Sequence, residues 1–312
     1  MKILKNITLH DKNWFLTGGN ARYFCEPVHD EDFQEALLFG KNEQLDIVFL
    51  GEGANVMISD EGIDGLVIRP MNVSIAHNKG GHLFVGAGAK MQEVIDYALD
   101  HCLVGLEEFS GIPGTLGGSV FINIHYFDAL LSDFFVSGRV IDRETGVIMD
   151  VDKEWFAFGY NTSTLHTMKY YLISAVLKVS QTDALGAAYA KGRRDETIRH
   201  RTRRYPTSRT CGSFFRNFLP EEVQVLVNGE KLPYVGYYLD KIGVKGALTI
   251  GKAGVSVRHA NMIVSQPGAT SADIIAVARR MQELVFETYG IIPQAECRML
   301  GFSEYPLYKK EN

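Results

Sequence analysis

Three stretches of the sequence carry residue types that suit ligand binding or proton transfer. The first is a glycine-rich octet, Gly-Ile-Pro-Gly-Thr-Leu-Gly-Gly, from Gly111 to Gly118. Four glycines and a proline in eight residues disfavour a helix interior and an ordinary strand, and glycine lets a ligand approach the main chain. Exposed N–H groups on such a loop suit a pyrophosphate, and the alternative interpretation is a tight structural turn.

The second stretch is Cys-Gly-Ser-Phe-Phe-Arg-Asn, from Cys211 to Asn217, with Ser213 between a glycine and two aromatic residues. A serine in this position can act as a proton donor. No G-x-S-x-G elbow surrounds it, so the pattern does not indicate a serine hydrolase. We expect Phe214 and Phe215 to belong to a hydrophobic core.

The third stretch is an apolar run from Ile291 to Leu300, which predicts a strand and contains Glu296. An acidic side chain within an apolar strand either pairs with a cation, such as Arg298, or is held for proton chemistry. The sequence alone leaves both alternatives open.

Glycine turns at the ends of strands would position these groups. The predicted strand Asp46–Leu50 leads into Gly-Glu-Gly-Ala-Asn, from Gly51 to Asn55, and strand character resumes over Val56–Ile58. The spacing is not G-x-G-x-x-G and no helix follows, so a Rossmann site is disfavoured. The turn either presents the N–H groups of Gly51 and Gly53 to a phosphate or is a plain hairpin.

A further glycine turn, Gly86 to Gly88, ends the predicted strand Leu83–Ala87. A helix is predicted from Met91 to His101, because its apolar residues recur at i, i+3, i+4 and i+7. Together with the octet, this makes three glycine turns at strand ends in one region. That arrangement favours a long phosphate-bearing ligand over three unrelated turns.

Periodicity and end signals predict the remaining elements. Thr270 and Asp273 form a capping box, and the helix that it opens runs to Tyr289 and ends at Gly290. The other predicted helices are Asp30–Gly40, Ala184–Arg204 and Tyr238–Lys241. The other predicted strands and turns are the turn Glu61–Gly65, the strand Leu66–Ile68, the hairpin Val136–Met149, the turn Phe158–Ser163, the strand Tyr171–Val179 and the strand Val255–Ile263 with His259 and Asn261.

Length, charge and cysteine use exclude several classes of protein. The 312 residues suffice for two or three domains, and the net charge of −5 argues against binding nucleic acid over the whole surface. Seven cations between Lys191 and Arg204 fit a solvated helix or a phosphate-facing edge better. No apolar run approaches the roughly 20 residues that cross a bilayer, and the N-terminus lacks signal-peptide features. The four separated cysteines predict reduced thiols in a cytoplasmic protein and no metal site.

Taken in order, several stretches resemble the UDP-N-acetylenolpyruvoylglucosamine reductases, flavoenzymes that make UDP-N-acetylmuramate for peptidoglycan. The matching stretches are Gly18–Phe24, Gly51–Asn55, Gly105–Gly118, Gly212–Asn217, Val255–Asn261 and Glu296. The long glycine motif and the Gly-Ser-Phe-Phe-Arg-Asn motif are specific, whereas the others are weak singly.

The resemblance implies an α+β architecture in three parts. Residues 1–74 and 75–204 would be the two subdomains of a vanillyl-alcohol-oxidase/PCMH-type FAD-binding fold. Residues 205–312 would be the substrate-binding domain, whose last residues can pack back on the FAD domains. The short gap from Phe218 to Tyr237 resembles the type II branch, which lacks an inserted tyrosine loop.

The resemblance also implies FAD as the cofactor and NADPH as the reductant. NADPH would reduce FAD and leave, and the enolpyruvyl substrate would then receive a hydride at C3. Ser213 matches the proton donor to C2, and Glu296 matches the acid that helps to stabilise the enolate. The residues implied for substrate binding are Tyr160, Asn217 and Lys245. The residues implied for cofactor binding are Gly51, Glu52, Gly53, Ala54, Asn55, Gly111, Ile112, Pro113, Gly114, Thr115, Gly117 and Gly118.

The chain departs from the family pattern at a position expected to contact the substrate. The family usually has Tyr-Arg-x-Ser where this chain has Tyr-Asn-Thr-Ser from Tyr160 to Ser163. Asn161 therefore stands at the arginine position and cannot replace its charge toward the substrate's carboxyl end. Arg209 and Arg216 are the candidates to compensate.

A second departure is Ile-Asn-Ile-His-Tyr-Phe, from Ile122 to Phe127, where the family typically has Met-Asn-Ala-Gly-Ala-Tyr-Gly. The bulkier residues would narrow the flavin pocket or move the isoalloxazine ring. Asn161 and His125 leave open a flavoenzyme of the same fold with a different substrate. A non-catalytic binder of flavin or nucleotide sugar is the other alternative, and the retention of Ser213 and Glu296 counts against it.

Overall fold

The computed structural model describes residues 1–223, 226–227 and 230–309, in which helices and short strands alternate. The helices are α1 (Asp30–Asn42), α2 (Met91–Asp100), α3 (Leu116–Ile122), α4 (Ala184–Arg204), α5 (Val235–Lys241) and α6 (Ser271–Tyr289). The strands as far as the middle of the chain are β1 (Leu4–Thr8), β2 (Asn20–Cys25), β3 (Asp46–Phe49), β4 (Val56–Ile58), β5 (Ile63–Ile68), β6 (Ile75–His77), β7 (His82–Gly86), β8 (Leu103–Val104), β9 (His125–Tyr126), β10 (Ala129–Leu130), β11 (Phe135–Asp142) and β12 (Ile148–Asp152). The later strands are β13 (Tyr170–Lys178), β14 (Ser180–Gln181), β15 (Leu226–Val227), β16 (Glu230–Lys231), β17 (Thr249–Ile250), β18 (Ala253–Val255), β19 (Ile263–Ser265) and β20 (Arg298–Leu300).

The strands pair into sheets that are mostly small. The two larger sheets have the orders β1-β2-β5-β3 and β12-β11-β13-β7-β6, and a three-stranded sheet has the order β17-β18-β19. β20 pairs with β4 in parallel, with Arg298 opposite Val56 and Leu300 opposite Ile58. No helix in the described part of the chain is long and apolar enough to cross a membrane.

The chain folds into two compact units, and each unit is made of segments that are not continuous in sequence. The first unit comprises residues 1–6, 22–52 and 64–201. The second comprises residues 7–21 and 53–63 together with the described residues from Thr202 onward. The predicted three-part division at residues 74 and 204 stays a prediction, because a division into two units does not resolve subdomains.

In the first unit, strand β13 supplies residues to two cores. Tyr171 and Ile173 join the core that contains α1, whereas Leu172 joins the core that contains α2 and α3, because successive side chains of a strand point to opposite faces. Arg139 pairs with Ser174, but the next residue of β11, Val140, pairs with Leu172, so β13 carries an extra residue at Ile173. After this bulge Ala175 and Leu177 face the α2 and α3 core.

The predicted bounds of helix α4 are confirmed, and several of its cationic side chains form ion pairs. Lys191 pairs with Asp100 at 2.6 Å and Arg194 pairs with Asp96 at 2.5 Å, both acids lying on α2. Arg193 pairs with the buried carboxylate of Glu107. These cations are therefore used in ion pairs within the first unit.

In the second unit, α6 packs on the three-stranded sheet around a core that includes Phe214 and Phe215, as predicted for both. The predicted capping box is confirmed. The Thr270 hydroxyl accepts the Asp273 N–H at 3.1 Å, and the Asp273 carboxylate accepts the Thr270 N–H at 3.2 Å. Gly290 ends the helix at a φ of 68°, in the left-handed region that favours glycine.

Three sequence predictions of secondary structure are wrong. The predicted strand Val255–Ile263 is two strands, β18 and β19, whose end residues pair across a connecting turn. The polar residues of that turn, including Asn261, bond to other segments instead of forming a ladder. In the apolar run Ile291–Leu300 only Arg298–Leu300 is a strand, and the predicted turn Glu61–Gly65 already enters β5 at Ile63.

Candidate active site

The loop from Gly51 to Asn55 is shaped by close backbone approach. A Cβ atom on Gly51 would lie 2.5 Å from the Thr115 hydroxyl oxygen. One on Gly53, whose φ is 66°, would lie 2.6 Å from the Cα atom of Asn13. The N–H groups of residues 51–55 donate no hydrogen bond to any residue that the structure describes. The loop therefore has unused donors of the kind that bind a phosphate.

The octet has the same composition but uses its backbone differently. Its first part is a turn, and its last three residues, from Leu116, begin helix α3 with Thr115 as the N-cap. The prediction that glycine content keeps the whole octet out of a helix is therefore wrong at Gly117 and Gly118. Glycine is tolerated there because this first turn packs closely, with a Cβ on Gly117 falling 3.2 Å from the Ala87 carbonyl oxygen.

Most N–H groups of the octet are already bonded within the first unit. The Gly111 N–H donates to the Gln92 side chain at 3.0 Å, and the Gly114 N–H donates to the Glu52 carboxylate at 2.8 Å. The Gly117 N–H donates to the Ala87 carbonyl at 2.9 Å. A Cβ on Gly114 would meet no atom within 4 Å, so this side of the octet faces open space.

These features fit the FAD that the sequence predicts. The loop at residues 51–55 offers N–H donors for a pyrophosphate, and the octet offers open space at Gly114 that a flat ring could approach. The buried side-chain oxygen of Asn55 has no hydrogen-bond partner among the described residues, as expected of a group that bonds to a ligand.

The turn that carries Asn161 is a tight hairpin in the first unit. Gly159 and Thr162 exchange backbone hydrogen bonds of 3.0 and 3.4 Å, which leaves Tyr160 and Asn161 as the two central residues. Asn161 has a φ of 54°, a conformation that asparagine tolerates better than most residues. The Tyr160 ring lies 4.9 Å from the ring of His125, so the two departures from the family pattern lie in one place.

Ser213 and Glu296 lie on adjacent segments of the second unit. Phe215 and Ala295 form an antiparallel bridge, and the Glu296 N–H donates to the Phe214 carbonyl at 2.9 Å. This pairing places Glu296 across from the residue that follows Ser213. The two predicted catalytic residues, 83 positions apart in the sequence, are thus neighbours in the fold.

Asn261 fixes the serine segment from the other side. Its side-chain oxygen accepts the Phe215 N–H at 3.1 Å and its side-chain nitrogen donates to the Phe215 carbonyl at 2.7 Å. Its backbone carbonyl accepts the Phe214 N–H at 2.8 Å. Asn261 lies in a stretch that matches the family pattern, but the sequence indicated no role for it. The structure shows that its buried side-chain amide positions the serine segment.

Burial raises the pKa of the Glu296 carboxyl to about 7. A raised pKa lets this carboxyl carry its proton at a higher pH than an exposed glutamate does, as proton chemistry requires.

The other predicted groups of the second unit have protein partners. The Asn217 side-chain oxygen accepts the Val235 N–H at 3.4 Å, where α5 begins. Lys245 pairs with Asp240 at 2.5 Å and is exposed. Arg216 forms two 2.8 Å bonds to the Glu222 carboxylate, so this candidate for replacing the family arginine is held elsewhere.

Comparison with known proteins gives matches along nearly the whole chain. A family model described as an FAD binding domain matches residues 21–152. A model described as the C-terminal domain of UDP-N-acetylenolpyruvoylglucosamine reductase matches residues 204–300. The reductase of Synechococcus sp. (strain JA-3-3Ab) is 30% identical, over 98% of this chain and 94% of its own. That of Nostoc punctiforme is 32% identical, over 92% of this chain and 82% of its own.

The chain belongs to the UDP-N-acetylenolpyruvoylglucosamine reductase family. The crystal structure of the Thermus caldophilus reductase matches with a TM-score of 0.78 and 25% identity, over 96% of this chain and 99% of its own. The predicted family is confirmed, as is the α+β fold class with a vanillyl-alcohol-oxidase/PCMH-type FAD-binding fold and a C-terminal substrate-binding domain. The protein is an FAD-dependent oxidoreductase.

Proposed function

We propose that this enzyme uses NADPH to reduce UDP-N-acetylglucosamine enolpyruvate to UDP-N-acetylmuramate, a step of peptidoglycan precursor synthesis in the cytoplasm. The observation that carries the proposal is the backbone pairing between the segment that follows Ser213 and the segment that carries Glu296, in a chain of this family. A protein that only binds nucleotide sugars has no use for a serine and a carboxyl of raised pKa on two paired segments.

The chemistry requires a hydride, a proton and a place for negative charge. When bound and reduced, FAD would supply the hydride for C3 of the enolpyruvyl group. Negative charge then develops at C2 and on the adjacent carboxylate until a proton arrives at C2. The protein must therefore place a proton donor at C2 and hydrogen-bond donors where the charge grows.

Ser213 would give its hydroxyl proton to C2. A serine hydroxyl is a weak acid, so its conjugate base needs neighbours that donate hydrogen bonds. Glu296 would serve in this way, because a carboxyl with a pKa of about 7 carries its proton in about half of the molecules at neutral pH. The hydrogen bond from the Glu296 N–H to the Phe214 carbonyl ties its segment to the one that carries Ser213.

The remaining predicted residues would bind and orient. The loop from Gly51 to Asn55 would hold the FAD pyrophosphate on its N–H groups, and the octet would lie beside the flavin ring. Tyr160, Asn217 and Lys245 would contact the substrate. Asn161 would act through the shape of its turn, since its amide carries no charge.

The direct test is NADPH oxidation by the FAD-loaded protein, with and without the enolpyruvyl substrate. We expect oxidation that depends on substrate and yields UDP-N-acetylmuramate, with NADH measured in parallel to establish the preferred reductant. Flavin that NADPH reduces but the enolpyruvyl compound does not reoxidise would contradict the proposal. Profiling other enolpyruvyl and nucleotide-sugar acceptors would then identify the changed substrate that Asn161 and His125 leave open.

A further inference from the structure

Three segments of the first unit meet at the side chain of Glu52. Its Oε2 atom accepts the Gly114 N–H at 2.8 Å, and its Oε1 atom lies 3.8 Å from the ammonium nitrogen of Lys90. Glu52 lies in the loop after β3, Gly114 lies in the octet, and Lys90 is the residue that precedes α2. The Glu52 side chain is 22% exposed and that of Lys90 is 53% exposed.

Backbone contacts join the same three segments. The Met91 N–H donates to the Gly114 carbonyl at 3.0 Å, and Lys90 and Thr115 form an antiparallel bridge. Gly51, next to Glu52, approaches the Thr115 hydroxyl so closely that a Cβ would lie 2.5 Å from it. Backbone contacts hold these three segments together, and the Glu52 carboxylate adds a side-chain link between them.

The carboxylate occupies a donor that an anion would otherwise use. Gly114 has a φ of 136°, in a region of backbone conformation that favours glycine. With Glu52 on this N–H, the octet offers one donor fewer to a phosphate and gains a negative charge at its edge. Lys90 offsets part of that charge. The N–H groups of residues 51–55 carry no such carboxylate and remain open.

We propose that Glu52 is a positioning residue for FAD rather than a direct contact. Its carboxylate fixes the octet against the segment of Gly51 and Glu52 and closes the Gly114 N–H to anions. The pyrophosphate is thereby directed to the loop, and the octet is left to the uncharged flavin ring. The inference rests on FAD binding by this chain and is independent of which substrate the reduced enzyme accepts.

The test is FAD binding to the apoprotein, followed by flavin fluorescence and by the visible absorption bands of the bound flavin. Glu52→Met keeps the length of the side chain but removes the acceptor, and we expect the dissociation constant to rise about tenfold or more. Glu52→Gln keeps an acceptor for the Gly114 N–H, and we expect binding within about threefold of wild type. Glu93→Met, which removes an exposed carboxylate on α2, is the matched control and should bind FAD like wild type.

The proposal would be overturned if Glu52→Met bound FAD with wild-type affinity and spectrum. It would also be overturned if Glu52→Gln bound FAD as weakly as Glu52→Met. Should Glu52→Met not fold, Lys90→Met carries the test. It leaves the Glu52 charge without its cation, so FAD binding should weaken a few-fold and more so at low salt. Adding Glu52→Gln should then restore it, and absence of that restoration would also overturn the proposal. Wild-type protein that binds FAD but does not reduce the enolpyruvyl substrate would instead count against the proposed reaction and leave this inference standing.

Discussion

The glycine loop at residues 51–55 and the serine segment around Phe214 and Phe215 are both built by close approach of neighbouring segments, with opposite outcomes. At residues 51–55 the two glycines carry no side chain, and the N–H groups donate to no residue that the structure describes. At Phe214 and Phe215 every backbone N–H and carbonyl is bonded, to Asn261 or to Glu296. In that region the side chains of Ser213 and Glu296, and not backbone N–H groups, would act on a substrate.

The difference teaches that one region presents backbone donors to a ligand and the other presents acid side chains to a reaction. Binding and proton transfer should therefore fail separately when each region is changed. Four substitutions test this separation, and we describe them from the largest expected effect to the smallest.

Ser213→Ala should break only the second region. We expect reoxidation of the reduced flavin by substrate to slow by about 10²- to 10⁴-fold, because general acid catalysis is lost. Stopped-flow measurement of each half-reaction checks this. FAD affinity and flavin reduction by NADPH should stay near wild type, and an equal loss in both half-reactions would remove the proposed role of Ser213.

Glu296→Gln should change how stability depends on pH. The folded pKa of about 7 lies above the ordinary value of 4.5, so the contribution of this carboxyl is fully present below pH 4.5 and is lost as pH rises through 7. Wild type should therefore lose about 1–3 kcal/mol relative to Glu296→Gln between these limits. Urea denaturation at pH 5 and pH 8 measures it, and parallel curves for the two proteins would rule out a raised pKa.

Gly51→Ala should break only the first region. The new methyl group would meet the Thr115 hydroxyl at 2.5 Å, and we expect a loss of about 1–3 kcal/mol in stability together with weaker FAD binding. Gly192→Ala is the matched control, because this glycine lies within α4 and a Cβ there meets nothing within 4 Å. Thermal unfolding and FAD titration should leave the control at or above wild type; a similar loss in both variants would refute the steric argument.

Asn161→Arg sharpens the comparison at the one place where the first unit departs from its family. Arginine tolerates a φ of 54° less well than asparagine, so we expect a loss of about 1 kcal/mol in stability. Turnover should be kept or raised, because the substrate's carboxyl end regains a cation. Asn161→Gly controls for the turn and should keep full stability. A collapse of turnover with flavin still bound would show that this pocket has been rebuilt.

Local signals in the sequence were sufficient for several elements. The bounds of α4, the capping box at Thr270 and the stop at Gly290 were all predicted correctly, because each depends on residues within a few positions. The roles of Ser213 and Glu296 were predicted only from the resemblance to the family. Spacing alone could not show that their segments are paired, since the bridge between Phe215 and Ala295 joins parts of the chain that are far apart in sequence.

The errors have the same physical origin. Val255–Ile263 has the apolar character of a strand, but Asn261 bonds to Phe215, 46 residues earlier, and the chain turns there. The octet was interpreted either as a loop with exposed N–H groups or as a tight turn, and the carboxylate that takes the Gly114 N–H, on Glu52, lies 62 residues away. Non-local hydrogen bonds decided both cases, and a window of sequence does not contain the partner.

The parallel pairing of β4 with β20 bears on synthesis of the chain. Val56 leaves the ribosome about 240 residues before Arg298, its partner in the register. At roughly 5–20 residues per second, the early strand waits on the order of 10–50 s for its neighbour. Residues 7–21 and 53–63 thus spend that interval without the C-terminal segment that completes their unit. During this interval β4 lacks its parallel neighbour, and we expect chaperone binding to fall once Arg298–Leu300 has emerged.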